Sequence, residues 1–337
     1  MAVFIQRRGL TMASNKGINV LSLFDGMSGG QQALKELGVP VNNYYASEID
    51  EHAIKVTQDN FPNTIQLGDV TSLDIEYLKT LEIDLMLYGA PCQGFSTAGK
   101  RLNFEDPRSK LLFLATNIRN EIKPKWWLSE NVVMRKDIKT AVDEYLGVEG
   151  QVIDSSYFTP ARRVRTYWTN IKQKNPLPQV QKKLEDYFTF ETSDDSLYLD
   201  KNKSYEFTSK YSKSKNGLIY CGGISTKNST KFIDDGKSLS RNFRQGYRVY
   251  SVEGIASTLT ANGGGLAGRT SLIQFDEENI ANLKTIRKLG RDEAEVLQGF
   301  PKGYTGIASK TQALTMLGNG WNVPTIKHLL SGLVDKA

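Results

Sequence analysis

Cysteine and histidine are the scarcest reactive residues in this 337-residue chain: it has Cys92 and Cys221, His52 and His328, and no others. Two cysteines cannot staple a disulfide framework or close a structural zinc site, and such scarcity fits a reducing compartment. The two histidines give little support to a Cys-His hydrolase dyad, and no metal site is expected. No run of eighteen apolar residues occurs, so no transmembrane helix is expected. The opening MAVFIQRRGLTMASNKG holds two arginines but no apolar core or cleavage site, so it does not read as a signal peptide, and Met12 offers an alternative start. Repeats and low-complexity tracts are also lacking.

Hydrophobic residues make up 39% of the chain, enough for a sizeable core. The length suits one large domain and a smaller one. The net charge of +6 is concentrated: residues 201–248 carry eleven Lys or Arg and three acids, which leaves the remainder slightly acidic. A basic segment of this kind is the footprint of a phosphate-backbone binder, and equally the composition of a solvated loop.

The first half alternates between strand-like and helix-like stretches. Ile18–Phe24 is a short apolar run ending in the turn DGMSGG, and a helical pattern from Gln31 to Leu37 is closed by Gly38. Tyr44–Ser47 reads as a strand ending at Glu48, and His52–Asn60 as a helix. Strands at Ile65–Leu67, Asp84–Tyr88 and Trp126–Ser129 follow, with a helix over Ser109–Glu121. This alternation predicts a parallel sheet with helices on both faces and functional residues at the carboxyl ends of the strands. Residues 172–183 read as a linker, 249–275 as β-like, and Thr311–Leu333 as helical, interrupted by GNGWNVP. The layout is an α/β domain at 17–171, a smaller inserted domain at 172–285, and a return to the first domain over 286–337.

The polar motifs fall at the strand ends. A glycine-rich turn before a helix lets backbone approach a dinucleotide, an adenosyl group, or nothing at all. Glu48 could accept ribose hydroxyls and Asp69 an adenine amino group, which together describe an adenosyl pocket. A nicotinamide site is the rival, but the turn lacks the G-x-G-x-x-G spacing. Cys92 sits in GAPCQGFS, a polar, backbone-exposing context that suits a thiolate nucleophile, although a lone cysteine also fits a core. Glu130-Asn131 ends the next strand; it is either a helix cap or an acid withdrawn from water and suited to proton exchange. Arg163 and Arg165 alternate by two, so both point to one face of an extended segment.

Taken in order, LFDGMSGG, SEID, GDV, GAPCQGFS, ENV, ARRVRTYW, VLQGFP and LGNGWNVP resemble the DNA cytosine-5 methyltransferase family of bacterial or phage type, over nearly the whole chain. FDG, RVRTYW, GFPKGYT and Trp321 are locally similar to the eukaryotic de novo branch. The resemblance implies a Rossmann-like S-adenosylmethionine-dependent methyltransferase sheet and an inserted target-recognition domain. It implies that Cys92 attacks carbon 6 of a flipped cytosine in duplex DNA, that Glu130 contacts ring nitrogen 3, and that Arg163 and Arg165 steady the base. It implies that Phe24, Asp25, Gly26, Gly29, Glu48, Ile49, Asp69, Val70, Pro91, Asn319 and Trp321 line the pocket for S-adenosyl-L-methionine, which leaves as S-adenosyl-L-homocysteine. Gln93, Ser96, Arg241, Arg244, Arg248, Thr258 and Arg269 are the expected DNA contacts. The segment Gln93–Arg108, with Gly94 and Gly99 as hinges, is expected to close over the base.

Two positions depart from the family pattern: Ser28 replaces a glycine of the first loop, and Ala161 replaces a glutamine before the arginines. A tRNA cytosine methyltransferase of the same fold and an inactive DNA-binding paralogue are the alternatives. A monomer acting on DNA, away from membranes, in the cytoplasm of a bacterial or phage-infected cell and associated with its nucleoid, completes the expectation.

Overall fold

The computed structural model describes residues 17–91, 107–188, 194–199, 205–213, 218–226, 247–261, 267, 269–275 and 285–334. Cys92, Gln93, Ser96, Arg241, Arg244 and most of the expected closing segment lie outside them.

β1 (Ile18–Leu23) is almost wholly buried, as a strand covered on both faces should be. It turns into α1 (Gly29–Leu37), which stops at Gly38 in the left-handed conformation that glycine adopts most readily. β2 (Val41–Ser47) lies parallel to β1. α2 (Glu51–Asn60) starts where the Asp50 carboxylate accepts from the His52 and Ala53 N–H groups. Then come β3 (Ile65–Gln66), α3 (Ile75–Thr80), β4 (Leu85–Tyr88), α4 (Pro107–Ile122), β5 (Trp126–Val132), α5 (Lys136–Leu146), β6 (Gln151–Asp154) and β7 (Val164–Thr169).

These strands form one sheet in the order β3-β2-β1-β4-β5-β7-β6. The chain winds outward from β1 through β2 to β3, then restarts beside β1 with β4. That reversal opens a crevice at the carboxyl ends of β1 and β4, where such sheets bind ligands. The sheet is not wholly parallel: β7 runs antiparallel between β5 and β6. Its connection from β6, Ser155–Arg163, is too short for a parallel crossover, which needs roughly a dozen residues. β5 also runs through Glu130 and Asn131 to Val132, so this pair lies inside the strand and not at a helix cap.

A second sheet, ordered β12-β11-β10-β9-β8, consists of β8 (Tyr205–Lys213), β9 (Ile219–Thr226), β10 (Arg248–Ser251), β11 (Leu272–Gln274) and β12 (Ile286–Lys288). It extends past 285 because Ile286 pairs with Gln274 and is buried with Leu272 and Val249. The chain then forms α6 (Arg291–Leu297), α7 (Lys310–Asn319) and α8 (Val323–Leu330). Ile326, Leu329 and Leu330 of α8 share a core with Ala33 and Leu34 of α1 and Val20 and Leu87 of the first sheet. The two sheets meet where Ala161 bridges Ala256 and Leu259 enters the first core. No helix among the described residues is long and apolar enough to cross a membrane.

Candidate active site

A cavity of about 360 Å³ occupies the crevice. Its walls come from the turn after β1, Glu48 and Asp50 after β2, Gly89–Pro91 after β4, Glu130–Val132 of β5, Arg163, Arg165, Phe300, and the stretch around Gly318–Trp321. Of the sequence-predicted residues it brings together Phe24, Asp25, Gly26, Gly29, Glu48, Pro91, Glu130, Arg163, Arg165, Asn319 and Trp321.

One half of the cavity is a backbone cradle. Gly26 has a positive φ of 59° with open space where a Cβ would stand, so its glycine answers to conformation and not to crowding. Its N–H donates to Glu48 Oε2 at 2.7 Å, while the Ile49 and Asp50 N–H groups donate to Oε1 at 2.7 and 2.9 Å. Three backbone donors therefore fix the Glu48 carboxylate. The Tyr304 hydroxyl donates to the Met27 carbonyl at 2.7 Å and steadies the same turn. A Cβ on Gly30 would come within 2.6 Å of Leu87, so glycine there lets α1 lie against β4.

Ser28, where the family pattern has glycine, keeps the left-handed backbone at φ 59° and is buried. A serine is strained there, but its hydroxyl donates to Asp25. The Tyr44 hydroxyl donates to the other Asp25 oxygen at 2.9 Å. Burial pushes the largely buried Asp25 carboxyl up to about 6; hydrogen bonds from Ser22, Ser28 and Tyr44 oppose that rise, and the nearby Glu48 charge adds to it.

The other half holds Glu130, which is 8% exposed. Antiparallel pairing sets Arg165 opposite Val132, diagonal to Glu130 on the same face. Arg165 Nε lies 3.0 Å from Glu130 Oε1, and Trp321 Nε1 donates to Oε2 at 3.1 Å. Glu130 is thus a paired acid and not a lone one. Asn131 Nδ2 donates to the Ala90 carbonyl at 3.2 Å, tying β5 to the segment that leads into Pro91. Arg163 is 3% exposed and not a surface residue; its two terminal nitrogens donate to the Gly318 and Asn319 carbonyls, both at 3.0 Å.

Three expected cofactor residues stay out of the cavity. Ile49 is 71% exposed, and Val70 is buried in a core beside Leu21 and Met86. Asp69 is exposed and accepts from the Thr71 N–H at 2.8 Å. Its hydrogen bonds with the Thr71 backbone and side chain hold it below the usual carboxylate range. Arg248 opens β10 and Thr258 lies half-buried beyond it. Arg269 donates to the Thr311 carbonyl at 3.2 Å. None of these three lines the cavity. Cys221 is buried in β9, away from it. Asn131, Phe300 and Gly89 line it and were not singled out, although each stands within a quoted motif: ENV, VLQGFP and GAPCQGFS. Among the described residues no cluster of His, Cys, Asp or Glu could hold a metal ion.

A doubly wound sheet whose crevice holds a glycine turn facing a fixed acid is the architecture of nucleotide- and adenosyl-binding α/β proteins, and here a paired glutamate shares the cavity. The family model for C-5 cytosine-specific DNA methylase matches residues 18–335, and the chain belongs to that family. It is 31% identical over 310 residues to the orphan methyltransferase M.Rho11sI of Bacillus phage rho11s, covering 77% of this chain and 61% of that protein. The chain thus spans less than two thirds of that phage relative. It is 27% identical to the type II methyltransferase M.HhaI of Haemophilus parahaemolyticus, covering 93% of each. Among solved structures, Entamoeba histolytica methyltransferase EhMeth superimposes with a TM-score of 0.67 at 17% identity, over 95% of this chain and 98% of that one. A Spodoptera frugiperda DNMT2 mutant does so with a TM-score of 0.64 at 20% identity, over 94% and 99%. Both likenesses concern the fold alone.

Proposed function

We propose that this chain transfers a methyl group from S-adenosyl-L-methionine to carbon 5 of a cytosine flipped out of duplex DNA. The observation that carries the reading is the placement, in one cavity, of a nucleoside cradle (Gly26 and Glu48) and a glutamate held between an arginine and an indole. The cofactor fits the residues present. Glu48 Oε2 takes one backbone donor where Oε1 takes two, so it keeps a lone pair for a ribose hydroxyl. The first turn of α1 opens into the cavity and suits the cofactor's carboxylate. The cavity volume lies in the range of small-ligand sites, about 300–1,000 Å³. When bound, the sulfonium supplies the methyl group, and S-adenosyl-L-homocysteine is the product.

Carbon 5 of cytosine is too weak a nucleophile to take a methyl group unaided. The Cys92 thiolate adds to carbon 6, and the electrons of the carbon 5–carbon 6 bond move toward ring nitrogen 3, which Glu130 protonates. Arg165 holds the Glu130 carboxylate and, beside it, the base. Carbon 5, now nucleophilic, takes the methyl group. Water removes the carbon 5 proton, sulfur leaves, nitrogen 3 returns its proton, and the double bond reforms. No step needs a metal. Extruding the base costs a few kcal/mol. Arg163 shapes the wall through Gly318 and Asn319. Gln93, Ser96, Arg241, Arg244, Arg248, Thr258 and Arg269 supply the DNA contacts. The domains are 17–171, a recognition region over 172–285 that extends through β12, and the returning C-terminal segment. We place the enzyme in the cytoplasm of a bacterial or phage-infected cell, near the nucleoid, as a monomer on DNA serving restriction-modification or an orphan role.

The test is methyl transfer from isotopically labelled cofactor to duplex DNA and, separately, to tRNA, with nucleoside analysis of the products. Label in 5-methyldeoxycytidine is expected. Label confined to RNA 5-methylcytidine, or no label, rejects the proposal.

A further inference from the structure

Glu130 is separated from Trp321 by 191 positions, yet they share a hydrogen bond of 3.1 Å. The indole is fixed from both sides along the chain. Gly318 and Asn319 hold Arg163 through their carbonyls. Asn322, fully buried, donates to Thr159 Oγ1 and the Leu297 carbonyl at 2.9 and 3.1 Å. Its side-chain oxygen also caps α8. The peptide carrying Trp321 therefore has little freedom to turn.

The ring spans the cavity wall. Ideal Cβ positions on Gly29 and Gly30 come within 3.6 Å of Trp321 atoms, so one side lies along the first turn of α1, where the nucleoside cradle begins. The nitrogen edge reaches Glu130. Room for that edge depends on Gly89: a Cβ there would stand 2.8 Å from Trp321 Nε1 and 3.2 Å from Glu130 Oε2. With Arg165 on Oε1 and Trp321 on Oε2, the carboxyl plane is set by two donors from different parts of the fold. Each oxygen retains a second lone pair for the base or its proton.

We propose that Trp321, beyond walling the cofactor pocket, is a positioning residue for Glu130, with its indole N–H orienting the acid that serves ring nitrogen 3. This rests on the reading of the cavity as a cytosine-5 methylation site. It separates two roles that a cofactor-contact residue would merge, because the bond to Glu130 acts on the base whether or not cofactor is present.

Covalent addition at carbon 6 with a proton placed on carbon 5 needs no methyl donor. When the adduct collapses, the original carbon 5 hydrogen leaves. Tritium release from duplex DNA carrying 5-tritiated cytosine, without cofactor, therefore reads Glu130 directly. In Trp321→Phe an aromatic ring remains against the wall and the N–H is lost. Tritium release and kcat are expected to fall together by roughly ten- to a hundred-fold, the loss of one hydrogen bond to a charged group. KM for the cofactor should move by less than about threefold, because the ground-state wall remains. Wild-type tritium release with a raised KM overturns the assignment and leaves Trp321 a cofactor wall only. Gly89→Ala is the second arm, should the phenylalanine variant lose its thermal transition: it keeps the indole and crowds the bond, and the same fall is expected. Unchanged release in Gly89→Ala likewise overturns the assignment. No release from the wild type overturns the covalent reading, and the assignment with it.

Discussion

The crevice and the second sheet are held together in different ways. In the crevice, partners come from far along the chain: Arg163 reaches carbonyls 155 and 156 positions away, and Trp321 reaches Glu130 across 191. In the second sheet, the buried Arg287 pairs through both terminal nitrogens with Glu293, six positions on, at 2.7 and 2.9 Å. Around Val249, Leu272 and Ile286 its described interior is aliphatic, with Tyr250, Ser251 and Gln274 also buried. A requirement for a particular donor at a particular place is met by few residues, whereas a requirement for burial is met by many. The crevice therefore constrains residue identity through donors brought from distant parts of the chain, whereas the second sheet depends more on burial and on a local ion pair.

The largest effect expected from breaking this contrast is at Glu130. Glu130→Gln keeps the shape but loses the titratable proton, and kcat should fall roughly 10²- to 10⁴-fold with the thermal transition retained; steady-state methylation and a melting curve check both halves. In the second sheet the matching lesion strikes stability first. Arg287→Met leaves Glu293 without its buried partner and should cost roughly 3–5 kcal/mol in urea unfolding. A milder effect belongs to Asp25. Its carboxyl titrates near 6 in the fold and near 4 when unfolded, so the folded state binds the proton more tightly, and stability falls as pH rises from about 4 to 6. Asp25→Asn lacks this dependence. Relative to wild type it should gain about 2 kcal/mol between pH 4 and pH 7, a figure reduced from roughly 3 for partial exposure; a flat difference across that range would contradict the buried-charge account. The smallest change is expected at Arg248: Arg248→Ala should lower the slope of log K against log salt for DNA binding by about 1 if this side chain holds a phosphate.

The same contrast explains what could be read from the sequence. DGMSGG, Glu48 and Glu130-Asn131 stand where hydrophobic strands run out or nearly so, and the two-residue alternation of Arg163 and Arg165 survives as a shared cavity wall. Other features left no local trace. β6 is an edge strand with Val152 exposed, so its pattern does not read as a buried strand. β7 could be read as extended, but its direction depends on the tight connection before it. Asp69 lies outside the cavity lining and accepts from the Thr71 N–H two residues on; an acid after a strand can close its own turn or face a ligand, and spacing does not distinguish the two. The Trp321–Glu130 bond is invisible to spacing because it joins residues 191 positions apart in the chain.

The most direct measurement uses duplex DNA with 5-fluorocytosine at the target, incubated with protein and S-adenosyl-L-methionine and resolved by mass spectrometry under denaturing conditions. Fluorine cannot leave carbon 5 as a proton does, so sulfur stays bound once the methyl group has transferred. A one-to-one adduct carrying the added methyl group, with the nucleotide mapped to Cys92, is expected. An adduct on another residue, or none from protein that methylates the natural duplex, would contradict the account.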